Sequence, residues 1–166
     1  PLPSERLAWL RAAATALMAA RGELISLMVL DAGKRVVEAD TEVSEAIDFV
    51  EFYRASARQW SALGRAGTRG RGVIVVVSPW NFPIAIPCGG IAAALAAGNT
   101  VILKPASDTV LVAWEVCACF WRAGVSKKTL QFLPCPGASI GEKLVLHAGL
   151  DGVILTGGTD TALRML

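Results

Sequence analysis

The feature that most constrains the fold is a run of five valine and isoleucine residues at Val73–Val77. A continuous β-branched run bounded by turn residues is typical of a strand buried on both faces of a parallel sheet. The elements predicted after it are a helix at Ile86–Ala97, a strand at Thr100–Leu103, a helix at Thr109–Ala123, a strand at Leu130–Leu133, a helix at Ala138–His147, a strand at Gly152–Leu155 and a helix from about Thr159. Strand and helix alternate four times with short links, which predicts an α/β fold with a Rossmann-like, doubly wound parallel sheet.

A different pattern precedes the sheet, and it predicts an N-terminal helical segment over residues 1–63. Ser4 is the expected N-cap of a first helix, which Gly22 interrupts. A second helix is expected to end at Gly33, because glycine adopts the left-handed conformation favoured after a helix. A third helix is predicted from about Ala39 to Trp60. The Gly- and Arg-rich residues 64–72 are interpreted as a surface linker, and residues 73–166 as a partial nucleotide-binding domain.

Composition excludes several classes of protein. Apolar residues make up 54% of the chain and charged residues 18%, which excludes a disordered chain. A net charge of +2 without a basic stripe gives no reason to expect nucleic acid as a partner. The apolar stretch Ile84–Leu103 is divided by proline, glycine and asparagine, so it predicts no integral membrane segment. No signal peptide is recognised and no zinc spacing is present, which predicts a cytoplasmic protein without a metal site whose cysteines are reduced.

In a doubly wound sheet, ligands bind beyond the carboxyl ends of the strands. The first such end carries Asn81, a neutral amide donor held between two prolines. An amide in this position can stabilise an oxyanion that forms only during a reaction, an effect of about 3–4 kcal/mol. The alternative is an asparagine that satisfies a turn.

The other strand ends also carry candidate binding residues. Lys104 closes the second strand, where it either donates hydrogen bonds to ribose or phosphate oxygens or ends the strand in water. Gly137 and Gly141 permit close backbone approach at a helix start, which suits a diphosphate, although their spacing is not the Gly-x-Gly-x-x-Gly fingerprint. Thr156–Gly158 precedes the last helix, where Thr159 or Asp160 is equally well explained as an ordinary N-cap.

Three motifs, Ser78–Pro83 (Ser-Pro-Trp-Asn-Phe-Pro), Lys104–Ala106 and Leu155–Gly158, occur in the order and spacing of the aldehyde dehydrogenase superfamily. The chain resembles this superfamily over nearly its whole length. Within it, Leu27–Lys34 and Glu45–Tyr53 are most similar to the 1-pyrroline-5-carboxylate (glutamate-semialdehyde) dehydrogenase branch, which includes the second enzyme of bifunctional proline-utilisation proteins.

The resemblance implies NAD(P)-dependent oxidation of an aldehyde, here glutamate semialdehyde, to a carboxylate in proline catabolism. In the family, a cysteine thiolate attacks the aldehyde, a hydride passes to nicotinamide, and a glutamate activates water. The family's oxyanion asparagine corresponds to Asn81. The residues implied to contact NAD, or alternatively NADP, are Ser78, Pro79, Trp80, Lys104, Ser107, Asp108, Gly137, Gly141, Thr156, Gly157 and Gly158. The resemblance also implies a homo-oligomer for the parent protein.

The chain departs from the family pattern at several positions. Ser107 stands where a ribose-binding glutamate is frequent, which leaves NAD versus NADP open. Gly158 replaces a common serine, and Ala162 replaces a common glycine. The nucleophilic cysteine and the general-base glutamate correspond to sequence outside these 166 residues, so the chain alone is predicted to be inactive. Cys88 is interpreted as a buried core thiol, and His147 as a solvated residue at a helix end.

Three interpretations therefore remain open. The first is the N-terminal, cofactor-binding part of an aldehyde dehydrogenase. The second is a non-catalytic aldehyde-dehydrogenase-like module with a structural or assembly role, which the departures at Ser107, Gly158 and Ala162 favour and the intact Asn81 loop disfavours. The third is an unrelated Rossmann domain that binds a small molecule.

Overall fold

The computed structural model describes residues 2–62 and 69–165 of the chain. Positions 64–68 of the predicted linker lie outside the described residues. The helices and strands are α1 (Pro3–Ala19), α2 (Arg21–Ala32), α3 (Val36–Ala62), β1 (Val73–Val77), α4 (Ala85–Ala96), β2 (Thr100–Lys104), α5 (Val110–Arg122), β3 (Leu130–Phe132), α6 (Glu142–Val145), β4 (Gly152–Leu155) and α7 (Thr159–Leu163). A 3₁₀ turn at Ser107–Thr109 precedes α5, and a π turn at Gly137–Gly141 precedes α6.

The four strands form one parallel sheet in the order β3-β2-β1-β4. Val77, the last residue of β1, is in register with Lys104 on one side and with Leu155 on the other. The predicted α/β fold with its parallel sheet is therefore confirmed. The chain winds outward from β1 through β2 to β3 and then returns to place β4 on the opposite side of β1. This reversal makes the carboxyl ends of β1 and β4 a topological switch point, where sheets of this kind bind ligands.

The N-terminal helices and the sheet share one hydrophobic core. Helix α4 lies between the sheet and α3, and α1 packs against α3 and α5. Leu17 from α1, Val43 from α3, Ile91 from α4 and Phe120 from α5 are all fully buried in this core. The predicted division into a segment at 1–63 and a domain at 73–166 stays a prediction, because a shared core does not define where domains separate.

The first helix begins differently from the prediction. Ser4 lies inside the first turn and not at the N-cap, because α1 begins at Pro3, whose fixed φ suits the first helical position. The free amide of Leu2 is satisfied by the side chain of Glu5, at 2.6 Å between the amide nitrogen and Oε2. A carboxylate one turn into the helix thus replaces the expected serine hydroxyl.

The break between α1 and α2 is at Ala20, whereas the prediction placed it at Gly22, which lies inside α2. Arg21 explains the position of the break, since its guanidinium reaches Asp40 and other groups on α3 and holds the first turn of α2 there. The predicted end of α2 is confirmed, because Gly33 has φ of 65°.

Helix α6 is shorter than the predicted helix at Ala138–His147. The π turn at Gly137–Gly141 takes the place of the first turn of the predicted helix. It contains two glycines, and glycine is a weak helix former. His147 lies exposed beyond the helix, and its Nδ1 accepts a hydrogen bond from the Gly149 amide at 3.0 Å.

Among residues 2–62 and 69–165, no single helix is both long and apolar enough to cross a membrane. Helices α1 and α2 reach that length and composition only when taken together across their 68° bend.

Candidate functional site

A cavity of about 330 Å³ opens at the carboxyl ends of β1 and β2, between the sheet and helices α6 and α7. Because α7 follows β4, the cavity borders the switch point between β1 and β4. Its volume is within the range of small-molecule sites in proteins. The predicted residues that it brings together are Lys104, Gly137 and Gly141. The cavity is lined by Val77, Lys104, Gly137, Ala138, Gly141, Glu142, Val145, Asp160, Thr161, Arg164 and Met165.

Lys104 forms the buried wall of this cavity. Only 6% of the residue is exposed, so the alternative of a solvated strand end is wrong. Its Nζ donates a hydrogen bond to the Pro105 carbonyl at 2.9 Å. An ammonium carries three protons that it can donate. Within the part of the chain that the structure describes, Nζ has one acceptor, the Pro105 carbonyl. Lys104 is therefore a desolvated cation with donor capacity left at the edge of a cavity.

The two glycines of the π turn differ in what surrounds them. A Cβ atom added to Gly141 would lie 3.0 Å from Cε of Lys104 and 3.3 Å from the Pro136 carbonyl oxygen. A Cβ atom added to Gly137 would have no described heavy atom within 4 Å. The glycine at position 141 is thus explained by close packing against Lys104. Gly137 keeps open space for the approach of a ligand.

Asn81 lies exposed in the turn between β1 and α4 and does not line the cavity. Its side-chain amide makes no hydrogen bond to any described residue, so the alternative of an asparagine that satisfies a turn has no contact to support it. Its backbone carbonyl instead accepts a hydrogen bond from Nζ of Lys34 at 2.9 Å. Trp80 and Phe82 on either side are also exposed, by 57% and 42%.

The remaining predicted residues lie on the same edge of the sheet but outside the cavity. Ser78 is buried, and its amide bonds to the Lys104 carbonyl at 3.3 Å. Thr156 is exposed, and its amide bonds to the Val77 carbonyl at 3.1 Å. Pro79 is half-buried. The other four residues are all exposed, and they are Ser107, Asp108, Gly157 and Gly158.

Sequence reasoning missed two charged residues of the site, Glu142 and Arg164, and considered Asp160 only as a helix cap. Glu142, Asp160 and Arg164 line the cavity, on helices that begin directly after the predicted glycines. For Glu142 and Asp160, the available signal was their position at the start of the helices that follow β3 and β4. Together with Lys104, these three residues give the cavity two cations and two carboxylates. Such a set suits a ligand that carries both phosphate groups and hydroxyl groups.

Two further carboxylates, for which the sequence predicted no role, bind the starts of helices α4 and α5. Glu42 is 1% exposed, and its Oε1 accepts hydrogen bonds from the amides of Ile84 and Ala85 at the start of α4, at 2.7 and 3.1 Å. Asp31 accepts hydrogen bonds from the amides of Leu111 and Val112 in the first turn of α5, at 3.1 and 3.3 Å. Neither helix has a side-chain cap of its own. Helices α4 and α5 are thus both anchored by the N-terminal segment.

The four cysteines are free and buried. Burial raises the pKa of the Cys88 thiol well above its usual range, and it raises the pKa of Cys119 to about 11. A thiol becomes a nucleophile by the opposite shift, in a partly exposed and electropositive place. The interpretation of Cys88 as a core thiol is therefore confirmed. Among the described residues, no group of three or more His, Cys, Asp or Glu is arranged to hold a metal ion.

The model of the aldehyde dehydrogenase family matches residues 2–166. The chain belongs to the aldehyde dehydrogenase family. This membership confirms the family that the three motifs predicted, and it accounts for the parallel sheet with helices before it.

Curated relatives place the chain near the predicted branch of the aldehyde dehydrogenase family. It is 42% identical to the bifunctional protein PutA of Salmonella typhimurium over 160 residues, which is 96% of this chain and 12% of that protein. It is 40% identical to the 1-pyrroline-5-carboxylate dehydrogenase of a Geobacillus species over 176 residues, which covers 98% of this chain and 34% of that protein. The chain thus spans about a third or less of the length of these relatives.

Solved structures agree with this placement. A mutant of Thermus thermophilus 1-pyrroline-5-carboxylate dehydrogenase superposes with a TM-score of 0.92 at 34% identity, over 99% of this chain and 34% of that one. Proline utilization A from Corynebacterium freiburgense superposes with a TM-score of 0.92 at 40% identity, over 99% of this chain and 17% of that one. The predicted resemblance to this branch is confirmed.

Proposed function

We propose that these 166 residues supply the cofactor cleft and the oxyanion donor of an NAD(P)-dependent aldehyde dehydrogenase. The proposed substrate is glutamate semialdehyde, the open form of 1-pyrroline-5-carboxylate, which is oxidised to glutamate in proline catabolism. The observation that carries the proposal is the buried Lys104 at the edge of a switch-point cavity, in a chain 40% identical to a 1-pyrroline-5-carboxylate dehydrogenase.

The residues of the cavity fit a dinucleotide. Lys104 would donate hydrogen bonds to the ribose or phosphate oxygens from a position that burial and the contact with Gly141 hold rigid. The open space at Gly137 would let diphosphate oxygens approach the backbone. Ser107 and Asp108 are exposed in the turn after β2 and would face the adenosine ribose. NAD and NADP differ at the 2′ position of that ribose, so these two residues would affect which of them binds. When bound, NAD(P) accepts the hydride of the reaction.

Asn81 would stabilise the negative charge that develops on the aldehyde oxygen during nucleophilic attack. Its side chain is exposed and makes no hydrogen bond to a described residue, so no internal bond has to break before it donates. A neutral amide also donates at every pH at which the protein is folded. Preorganised donors of this kind contribute about 3–4 kcal/mol where they have been measured.

The nucleophile and the general base would come from sequence outside these 166 residues. Every described thiol is buried, and the two pKa values considered above, those of Cys88 and Cys119, are raised, which disfavours thiolate formation. We therefore expect the 166-residue chain to bind cofactor and to lack aldehyde oxidation. A homo-oligomeric state and a cytoplasmic location remain predictions.

A second candidate is a non-catalytic aldehyde-dehydrogenase-like module that serves assembly. Three residues that depart from the family pattern favour it, namely Ser107, Gly158 and Ala162. Such a module has no use for a buried lysine at the cavity, so the two candidates differ in whether cofactor binds.

Calorimetric titration of the 166-residue chain with NAD and NADP separates the two candidates. We expect saturable binding that Lys104→Met weakens by at least tenfold, because the buried cation and its donors are lost. Lys128→Met is the matched control, since Lys128 precedes β3 at the opposite end of the sheet. Absence of binding heat at millimolar NAD and NADP would contradict the cofactor assignment and favour the assembly module. Oxidation of glutamate semialdehyde by the full-length protein tests the substrate.

A further inference from the structure

The Asn81 loop is held by a buried ion pair that belongs to the N-terminal helices and not to the sheet. We propose that Lys34 and Glu42 are positioning residues that set the place of the Asn81 amide at the end of β1. The inference rests on the proposed function, because it takes Asn81 as the oxyanion donor.

Glu42 fixes the far side of the loop, where α4 begins. The first amides of a helix have no partner inside the helix, and leaving such a group buried and unpaired destabilises a protein. At α4 these amides belong to Ile84 and Ala85, and the carboxylate of Glu42 accepts from both. A negative charge at a helix N-terminus is also favourable in the field of the helix dipole. The start of α4 is thus tied to α3 by one carboxylate.

Lys34 fixes the near side of the loop. Its ammonium pairs with Oε2 of Glu42, the oxygen that does not contact α4. The same ammonium donates to the backbone carbonyl of Asn81 at 2.9 Å and lies 4.4 Å from the ring centroid of Phe82. A single cation therefore contacts two consecutive residues of the loop. Lys34 thus fixes the backbone from which the Asn81 side chain projects, and it does not occupy the side-chain amide.

Lys34 itself starts from a rigid position. Gly33 adopts the left-handed conformation at the end of α2, and the amides of both residues donate to the Met28 carbonyl. The contacts thus run from the fixed turn at Gly33 to the partly buried Lys34, and from Lys34 to the buried Glu42. These two side chains then contact the two ends of the loop. Functional groups are held best when the groups behind them are themselves locked.

If the ion pair were only structural, its loss would affect stability and turnover differently. Burial of two charges is expensive, and such a pair is weak evidence for net stability. Loss of a structural pair lowers stability and leaves turnover unchanged. Loss of a positioning pair lowers turnover even in a folded protein, since a displacement of about 1 Å at a reacting centre reduces rates by about a hundredfold.

The test compares kinetic constants of the full-length protein for three variants. Lys34→Met keeps the length of the side chain and removes its charge, and we expect kcat to fall at least tenfold while KM for NAD changes less than about twofold. Lys34→Arg retains a cation and donors, and we expect it to restore at least half of the wild-type kcat. Arg21→Met is the matched control, because it removes another α2–α3 ion pair, with Asp40, that does not contact the loop. It should lower the melting temperature and leave kcat unchanged.

Should Lys34→Met not fold, Glu42→Gln provides the same comparison. Glutamine keeps an oxygen for the amides of Ile84 and Ala85 but removes the charge that holds Lys34. We expect kcat to fall while hydrogen exchange of those two amides stays slow. Wild-type kcat in Lys34→Met or Glu42→Gln, with an active wild-type protein, would overturn the inference and leave the proposed function intact. A wild-type protein that oxidises no aldehyde would overturn the proposed function, and the inference with it.

Discussion

At the scale of single residues, Asn81 and Lys104 occupy contrasting environments. Lys104 is a cation kept almost entirely from water, and Asn81 is a neutral amide left in the open. The difference suits the proposed roles, since a resident cofactor is bound by a fixed charge and an oxyanion is met by a donor with no competing partner. Lys104 closes β2 and Asn81 lies in the turn after β1, so the sheet brings both to the same edge. Contacts with Lys34 and Glu42 then hold the loop that carries Asn81.

The first prediction concerns Asn81→Ala. In the full-length protein we expect kcat to fall by about 10²–10³, because a donor used only in the transition state is lost. The affinity for NAD should change by less than about twofold, since Asn81 does not line the cavity. Steady-state kinetics and calorimetry on the same sample measure the two quantities. Equal losses in turnover and cofactor affinity would remove the oxyanion role from Asn81.

A second prediction concerns Cys119, whose pKa burial raises to about 11. In the unfolded chain a thiol ionises near its usual value of about 8.5. The folded state therefore holds a proton that the unfolded state loses, and the stability associated with it is full below pH 8.5 and declines as the pH rises towards 11. Urea unfolding of wild type and Cys119→Ala between pH 8 and 10.5 should show a steeper loss in wild type. Parallel curves would contradict the raised pKa.

At the scale of elements, the starts of helices α4 and α5 depend on remote carboxylates. A third prediction follows for Asp31→Ala, which leaves two amides of α5 without their partner. We expect the free energy of unfolding to fall by about 0.5–2 kcal/mol, the usual effect of losing a helix cap. Asp48→Ala is the control, because Asp48 is an exposed carboxylate of α3. Denaturant unfolding measures both, and an equal loss in the two variants would show that the Asp31 contacts are not stabilising.

The elements differ in how far the sequence reveals them. The predicted strands Val73–Val77 and Gly152–Leu155 have the observed bounds. A short apolar run between turn residues is enough to predict a buried strand. The strand ends followed from the alternation of elements, so Asn81 and Lys104 were identifiable. The partners of the helix starts were not, since Asp31 and Leu111 are separated by 80 positions and periodicity reports only local neighbours. Arg164 was missed for the same reason, because it lines the cavity only through the packing of α7.

At the scale of the whole molecule, the sheet is open at both edge strands, β3 and β4, among the described residues. Among the described residues, β4 pairs with β1 and has no strand on its other edge, and Val153 there is 39% exposed. An uncovered, apolar strand edge favours pairing with another chain. The 166-residue chain is therefore expected to associate through this edge.

The fourth prediction tests that association. Sedimentation or light scattering should show a mass that rises with concentration for the 166-residue chain. Val153→Lys should reduce it, because a charged side chain on an edge strand opposes pairing. Leu30→Lys, at a residue that is 83% exposed on α2, is the control and should leave the association unchanged. A chain that remains monomeric at all concentrations would contradict the expectation.

The carboxylates that anchor α4 and α5 also limit how this family can recombine. A crossover anywhere in residues 63–72 would join the helices of one relative to the sheet of another. The hybrid would then have to match Glu42 with the start of a foreign α4 and Asp31 with that of a foreign α5. We therefore expect the sheet to be inherited together with the helices that precede it, and not as a separate unit.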